Sequence, residues 1–169
     1  MKTVYTHAFE TPFGTVRTVA TDSGLAAVRL PGEKIADFET FVRAHFPDHT
    51  VKRGGQINQQ AEDELQAYFQ GRLKRFTVPL DVTATAFQQE VLRRVSEIPY
   101  GGTATYGDIA WAIGKPRASR AVGMANARNA VPIIVPCHRV IGTSGLGGYG
   151  GGLEMKKRLL ELEEAFADS

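Results

Sequence analysis

The chain has 169 residues, a net charge of +2 and an apolar fraction of 43%, so it holds one large domain or two small ones with enough apolar material for a packed core. Its single cysteine excludes an intramolecular disulfide and a cysteine-based zinc site. No apolar run approaches the length of a bilayer span, and the start Met1-Lys2-Thr3-Val4 lacks the apolar region of a signal peptide, which together point to a reducing, cytoplasmic setting without membrane contact.

Residues Val4 to Phe9, Gly14 to Thr21 and Leu25 to Leu30 alternate as strands do, with Pro12, Phe13 and Asp22-Ser23-Gly24 between them, which predicts an antiparallel meander. Ile35, Phe38, Phe41, Val42 and His45 recur at helical spacing until Pro47. A second helix is predicted from Gln59 to Gln70, with Asn58 as its cap and Gly71 as its stop. Phe76 to Leu80 reads as an edge strand, since Pro79 cannot donate to a ladder.

Near residue 82 the pattern turns helical. The expected organisation is α+β: an N-terminal antiparallel-sheet αβ domain over 1–81, then a mostly helical domain over 82–169. Thr85 to Gln88 is a capping box, followed by the apolar face Phe87, Val91, Leu92 and Val95. Thr105-Tyr106-Gly107-Asp108 opens a helix through Ile113, which Gly114-Lys115-Pro116 stops, and a short helix runs from Ser119 to Asn126. Two short helices around a tight glycine-containing turn outline a helix-turn-helix. The small residues Ala121, Gly123 and Ala125 on the second helix suit close approach to a groove wall, and equally suit close packing in a core. Gly142 to Gly152 is a glycine-rich loop carrying Tyr149; it lacks the lysine and hydroxyl of a P-loop, which rules out nucleotide hydrolysis. An amphipathic helix from Leu153 to Phe166 ends the pattern.

Between Ile109 and Leu153 there is no aspartate or glutamate, while Lys115, Arg117, Arg120, Arg128 and Arg139 are all present. A local positive field of this kind favours phosphate contact and lowers a thiol pKa. The one thiol, Cys137, lies inside it, in Val135-Pro136-Cys137-His138-Arg139-Val140. Adjacent side chains do not face each other, so a bridging water is the route by which His138 would take the thiol proton.

This run resembles the active-site signature of the O6-alkylguanine-DNA alkyltransferases. Arg120-Ala121-Val122-Gly123, Asn126, Asn129, Tyr149-Gly150-Gly151-Gly152-Leu153 and Thr105-Tyr106-Gly107 fall in that family's order, and the match covers about Phe87 to Glu163. The resemblance implies direct-reversal DNA repair: an alkyl group on O6 of guanine, and also on O4 of thymine, passes irreversibly to Cys137, once per molecule and without metal or cofactor. In the roles so implied, Glu163 steadies the His138 imidazolium, Asn129 orders the active-site turn, and Tyr106 assists the departing guanine. Pro132, Val140, Tyr149 and the main-chain N–H of Gly150 line the base pocket. Arg120 fills the space left by the flipped base. Thr105, Tyr106, Ala121, Gly123, Ala125, Arg128 and Arg139 face double-stranded DNA from the minor groove. The implied state is a monomer in solution that assembles side by side on DNA.

Read without the resemblance, Glu163 is one helix carboxylate beside Glu161 and Glu164, and Arg120 is an ordinary surface arginine. Three other functions compete. A lesion-binding module that transfers nothing would lack the cysteine. A cysteine hydrolase needs a histidine in direct reach and an oxyanion hole, and His7, His45 and His49 are remote in sequence. A helix-turn-helix regulator needs sequence-specific contacts that a helix of small residues does not offer.

Overall fold

The computed structural model describes residues 1–168 and divides into two compact units, Met1–Thr83 and the residues from Ala84 onward. No helix of the described residues is long and apolar enough to cross a membrane.

The first unit is a four-stranded sheet in the order β3-β2-β1-β4, flanked by two helices. Strands β1 (Lys2–Thr11), β2 (Gly14–Ala20) and β3 (Leu25–Arg29) form the expected meander. Thr11 pairs with Gly14 across the first turn, and its hydroxyl accepts from Phe13 N and donates to Gly14 O. The fourth strand, β4 (His49–Arg53), runs parallel to β1 and has no counterpart in the sequence reading. Four of its five residues are exposed, so it lacks the buried alternation that marks the other strands. Val4, Val19 and Ala27 pack under Phe38 and Val42 of α1 (Ile35–His45).

Two local expectations need correction. Helix α2 (Gln56–Phe69) starts before Asn58, so Asn58 is not a cap. It is fully buried, accepting from the Thr18 hydroxyl (2.8 Å) and donating to Tyr5 O (3.0 Å) and Gly54 O (2.8 Å). A buried amide with three partners fastens the helix to the sheet. Phe76 to Leu80 forms no strand; only an isolated bridge joins Leu80 to Leu25, with Leu25 N bonding Pro79 O and Asp81 N bonding Leu25 O.

The second unit starts with α3 (Ala86–Ser96), opened by the Thr85/Gln88 capping box and burying Val91 and Val95. Helix α4 (Tyr106–Ala112) is capped likewise by Thr105 and Asp108. It ends in a Schellman turn: Lys115 N bonds Ala110 O, Gly114 N bonds Trp111 O, and Gly114 takes a φ of 75°. The chain then reverses into α5 (Ser119–Ala127), and this pair is the helix-turn-helix. Short strands β5 (Ala104–Thr105) and β6 (Val140–Ile141) pair in parallel, bringing the start of α4 beside the end of the cysteine segment. Helix α6 (Leu153–Phe166) buries Met155, Lys156, Leu159 and Glu163. The sequence sends all four to one face, at steps of one, three and four residues.

Candidate functional site

Cys137 starts a one-turn 3₁₀ helix, Cys137–Arg139, and is buried. The approach to it is bent. Ile133 has a φ of 73°, in the left-handed region that a β-branched residue reaches only under constraint, at a cost on the order of 1–3 kcal/mol. The constraint is visible. Val135 N bonds Val131 O (3.0 Å), and Asn129 clamps the same turn by accepting from Val131 N (3.0 Å) and donating to Val135 O (2.8 Å). Asn126, buried on α5, donates to Cys137 O (3.2 Å). Two asparagines three residues apart therefore hold the nucleophile turn, one at each end.

Behind the sulfur lies a buried charge network. His138 Nε2 meets Glu163 Oε2 at 2.5 Å. The same carboxylate accepts from Arg139 Nε (2.7 Å), Arg139 Nη2 (3.1 Å) and Gly101 N (3.2 Å). Arg139 Nη1 donates to Ile98 O (2.8 Å), and its guanidinium lies 5.6 Å from the Tyr100 ring centre. With Nε2 carrying the proton that faces the carboxylate, Nδ1 is the basic nitrogen of the imidazole.

Burial sets the resting protonation states. It pushes the Cys137 thiol up, against the pull of Asn129, the Lys156 charge and Tyr149. It pushes His138 down, against the hydrogen bond and charge of Glu163. The rest state is a thiol beside a neutral imidazole, so the nucleophile forms only as the proton moves. The Tyr149 hydroxyl is buried without a hydrogen-bond partner among the described residues and is held well above the usual range, by burial first and then by the charge of Cys137, so it stays protonated. Its ring meets His138 edge-on at 6.5 Å.

The glycine loop folds back on Tyr106. Gly148 N donates to Tyr106 Oη (3.3 Å), and a Cβ on Gly147, whose φ is 73°, would collide with that hydroxyl and ring. Because Tyr106 Oη accepts this bond, its own proton remains available to a ligand. Gly150 is exposed, and a Cβ there would meet nothing within 4 Å. Pro132 is half-buried and bridges to Val135 inside the strained turn. Val140 N caps the 3₁₀ turn on Cys137 O, while Val140 O accepts from Lys156 Nζ (2.6 Å).

The exposed face of α5 presents Arg120, Ala121, Met124, Ala127 and Arg128. Ala125, expected to face DNA, is instead buried in the unit. The helical phase puts Ala125 on the Val122 side, away from Arg120. Gly123 is half-buried, and a Cβ there would touch the Tyr106 ring at 3.7 Å, so its smallness serves the packing of α5 on that tyrosine. Thr105 is spent as the cap of α4. Arg139, also expected at the DNA surface, is 5% exposed and bound to Glu163, Ile98 and Tyr100; a guanidinium so committed reaches no phosphate.

Asn126 enters the sequence reading as part of the motif but with no role, and Met124, Ala127 and Lys156 do not enter it as site residues. Lys156 had a signal, since it shares the α6 face of Leu159 and Glu163, where a lysine is out of place.

Comparison with known proteins gives a consistent set of relatives. The model of the 6-O-methylguanine DNA methyltransferase DNA binding domain matches residues 86–165, and that of the ribonuclease-like domain of the same proteins matches residues 4–82. A methylated-DNA–protein-cysteine methyltransferase of Methanosarcina acetivorans is 45% identical over 162 residues, covering 95% of this chain and 98% of that protein. The protein of that name from Mycobacterium tuberculosis is 57% identical over 108 residues, 63% of this chain and 66% of the relative. The crystal structure of Mycobacterium tuberculosis OGT in complex with DNA superposes with a TM-score of 0.82 at 42% identity, covering 96% of this chain and 94% of that one.

Proposed function

The chain belongs to the methylated-DNA–protein-cysteine methyltransferase family, and from that premise we propose that it repairs alkylated DNA by moving the alkyl group from O6 of guanine onto Cys137, once per molecule. The observation that carries the reading is the buried Cys137–His138–Glu163 row, with Nε2 and Oε2 at 2.5 Å behind the only thiol of the chain.

Each step balances. The thiol proton passes to His138 Nδ1 through a bridging water, and the imidazolium is steadied by Glu163. The thiolate attacks the alkyl carbon; the S–C bond forms as the C–O6 bond breaks, and the electron pair leaves on guanine. Tyr106 Oη lends its proton to the departing ring and is reprotonated from the imidazolium by way of solvent. The product is a thioether and a restored guanine. The chain has no second thiol to take the alkyl group from Cys137, so the protein is consumed.

Substrate entry follows from the same parts. O6 of a stacked guanine is out of reach of a buried sulfur, so the base is flipped, at a cost of a few kcal/mol that a mispaired lesion reduces. Arg120, on the exposed face of α5, fills the vacated space, with Ala121, Met124, Ala127 and Arg128 against the duplex. The small alanines suit the minor groove, whose code carries little sequence information. Pro132, Val140, Tyr149 and Gly150 line the base pocket, and O4-alkylthymine, with a similar edge, is a second substrate. The alkyl-acceptor and DNA-binding functions reside in residues 82–169, with 1–81 as a separate domain. The protein acts as a monomer that assembles side by side on DNA.

The test is intact mass after incubation with a duplex containing O6-methylguanine. The expected result is a gain of one methyl group on Cys137, saturating at one per protein. Turnover with unmodified protein, or no gain, overturns the reading.

A further inference from the structure

Helix α1 packs over three of the four strands of the first unit. Phe38 and Val42 cover Val4 of β1, Val19 of β2 and Ala27 of β3, and β4 contributes nothing to that core. Between α1 and β4 runs a groove of about 700 Å³. Thr6 and Ala8 of β1 and Val51 of β4 line it from the sheet, and Ile35 lines it from the helix. Ile35 is 62% exposed and Val51 is 49% exposed. Apolar side chains scattered singly over a surface are ordinary, but two that border one groove mark a place where something is covered on binding.

The charge of the groove is one-sided. Arg17, Arg43, Lys52 and Arg53 line it, and Glu39 is the one carboxylate among the lining residues. Among the described residues none of these five takes part in an ion pair. Three of the four cations are arginines, whose planar fork matches a carboxylate. An apolar groove with unpaired cations around it attracts an anion that carries an apolar part. Phe38, the phenyl ring of the lining, is 7% exposed, so the groove offers nucleic-acid bases no stacking platform.

Strand β4 adds the main chain. It ends the sheet order, and no strand pairs with its outer side among the described residues. A free edge offers backbone donors and acceptors to an extended chain. Charges alone would guard such an edge against unwanted pairing, and a guard needs no apolar groove beside it. The register sets Val51 beside Val4 and Arg53 beside Thr6, so both side chains stand on the face that α1 covers. An added strand therefore meets them with an apolar side chain and, two residues along, a carboxylate.

We infer that this groove and the free edge of β4 form a docking site for an extended acidic peptide of a partner protein. The main chain of the peptide adds to β4, its apolar residue covers Val51 and Ile35, and its carboxylates meet Arg53 and Arg43. The site lies outside the residues of alkyl transfer and does not depend on them.

The test uses the full chain and a fluorescein-labelled synthetic peptide in which serines separate alternating leucine and glutamate. Fluorescence anisotropy is expected to show saturable binding. Arg53→Glu, with the wild-type circular dichroism spectrum, should weaken it at least tenfold, since an attractive pair becomes a repulsive one. The same peptide with lysine in place of glutamate should not bind. Amide hydrogen exchange over His49–Arg53 of the wild-type chain should slow when the acidic peptide is added, because that edge gains main-chain bonds. Absence of saturable binding, equal binding of the lysine peptide, or an Arg53→Glu affinity equal to wild type overturns the inference. Unchanged exchange over β4 overturns it as well, and this readout decides should the variant not fold. Displacement of the peptide by single-stranded DNA whose own binding is lost in Arg53→Glu would assign the groove to nucleic acid, and would overturn the peptide reading.

Discussion

Replacing Glu163 by glutamine separates the two tasks of this carboxylate. Both oxygens accept from Arg139, Oε1 from Nε and Oε2 from Nη2, while Oε2 also meets His138 and Oε1 accepts from Gly101 N. An amide in either orientation sets an NH₂ against an arginine N–H. No rotamer flip relieves this, and Arg139 is left as a buried charge without a counter-ion. Breaking a buried pair in this way costs about 3–5 kcal/mol, a fall in Tm on the order of 10 °C for a chain of this size. The amide also stops holding the imidazole tautomer, so transfer to Cys137 should slow by about 10²-fold or more. Urea unfolding and single-turnover transfer measure the two effects. Adding Arg139→Met removes the stranded charge. The double variant should regain more than half of the lost stability and none of the lost transfer. A Glu163→Gln protein that loses less than about 1 kcal/mol, or transfers at the wild-type rate, refutes the shared-carboxylate argument.

Two further outcomes follow. Arg120→Ala should slow transfer from a duplex severely while leaving transfer from free O6-benzylguanine nearly unchanged, since Arg120 is exposed on α5 and absent from the buried row; equal losses on both substrates would remove its flipping role. Stability should peak between about pH 6.5 and 9, measured by denaturant midpoints across pH. His138 is held down by burial, so below its unfolded pKa of about 6.5 the unfolded chain takes up a proton that the folded one refuses, and stability falls as pH falls. Cys137 and Tyr149 are held up by burial, so above about pH 9 the unfolded chain ionises first and stability falls as pH rises. The lowered lysine of the site, Lys156, works against that alkaline loss, and a flat profile across both limbs would refute the assigned resting states.

Local sequence determined those features that depend on neighbours along the chain. The two capping boxes, the glycine stop after α4, the meander and the start of α6 were legible because each is set within a few residues. The lone cysteine beside a histidine pointed to its chemistry for the same reason: no other thiol competes for the role. Strand β4 was not legible, since an exposed strand pairing in parallel with β1 leaves no apolar alternation to read. Nor was the fate of Arg139. Its neighbours suggest a basic surface, but its partner Glu163 is 24 residues away and reaches it only once α6 lies against the cysteine turn. Ala125 and Gly123 show the same limit, because smallness is equally useful against DNA and against a tyrosine ring. What composition and order settled by themselves was which reactive group this protein has; which charges surround it, and which basic residues remain outside, was decided by packing, because electrostatic partners are chosen by distance in space.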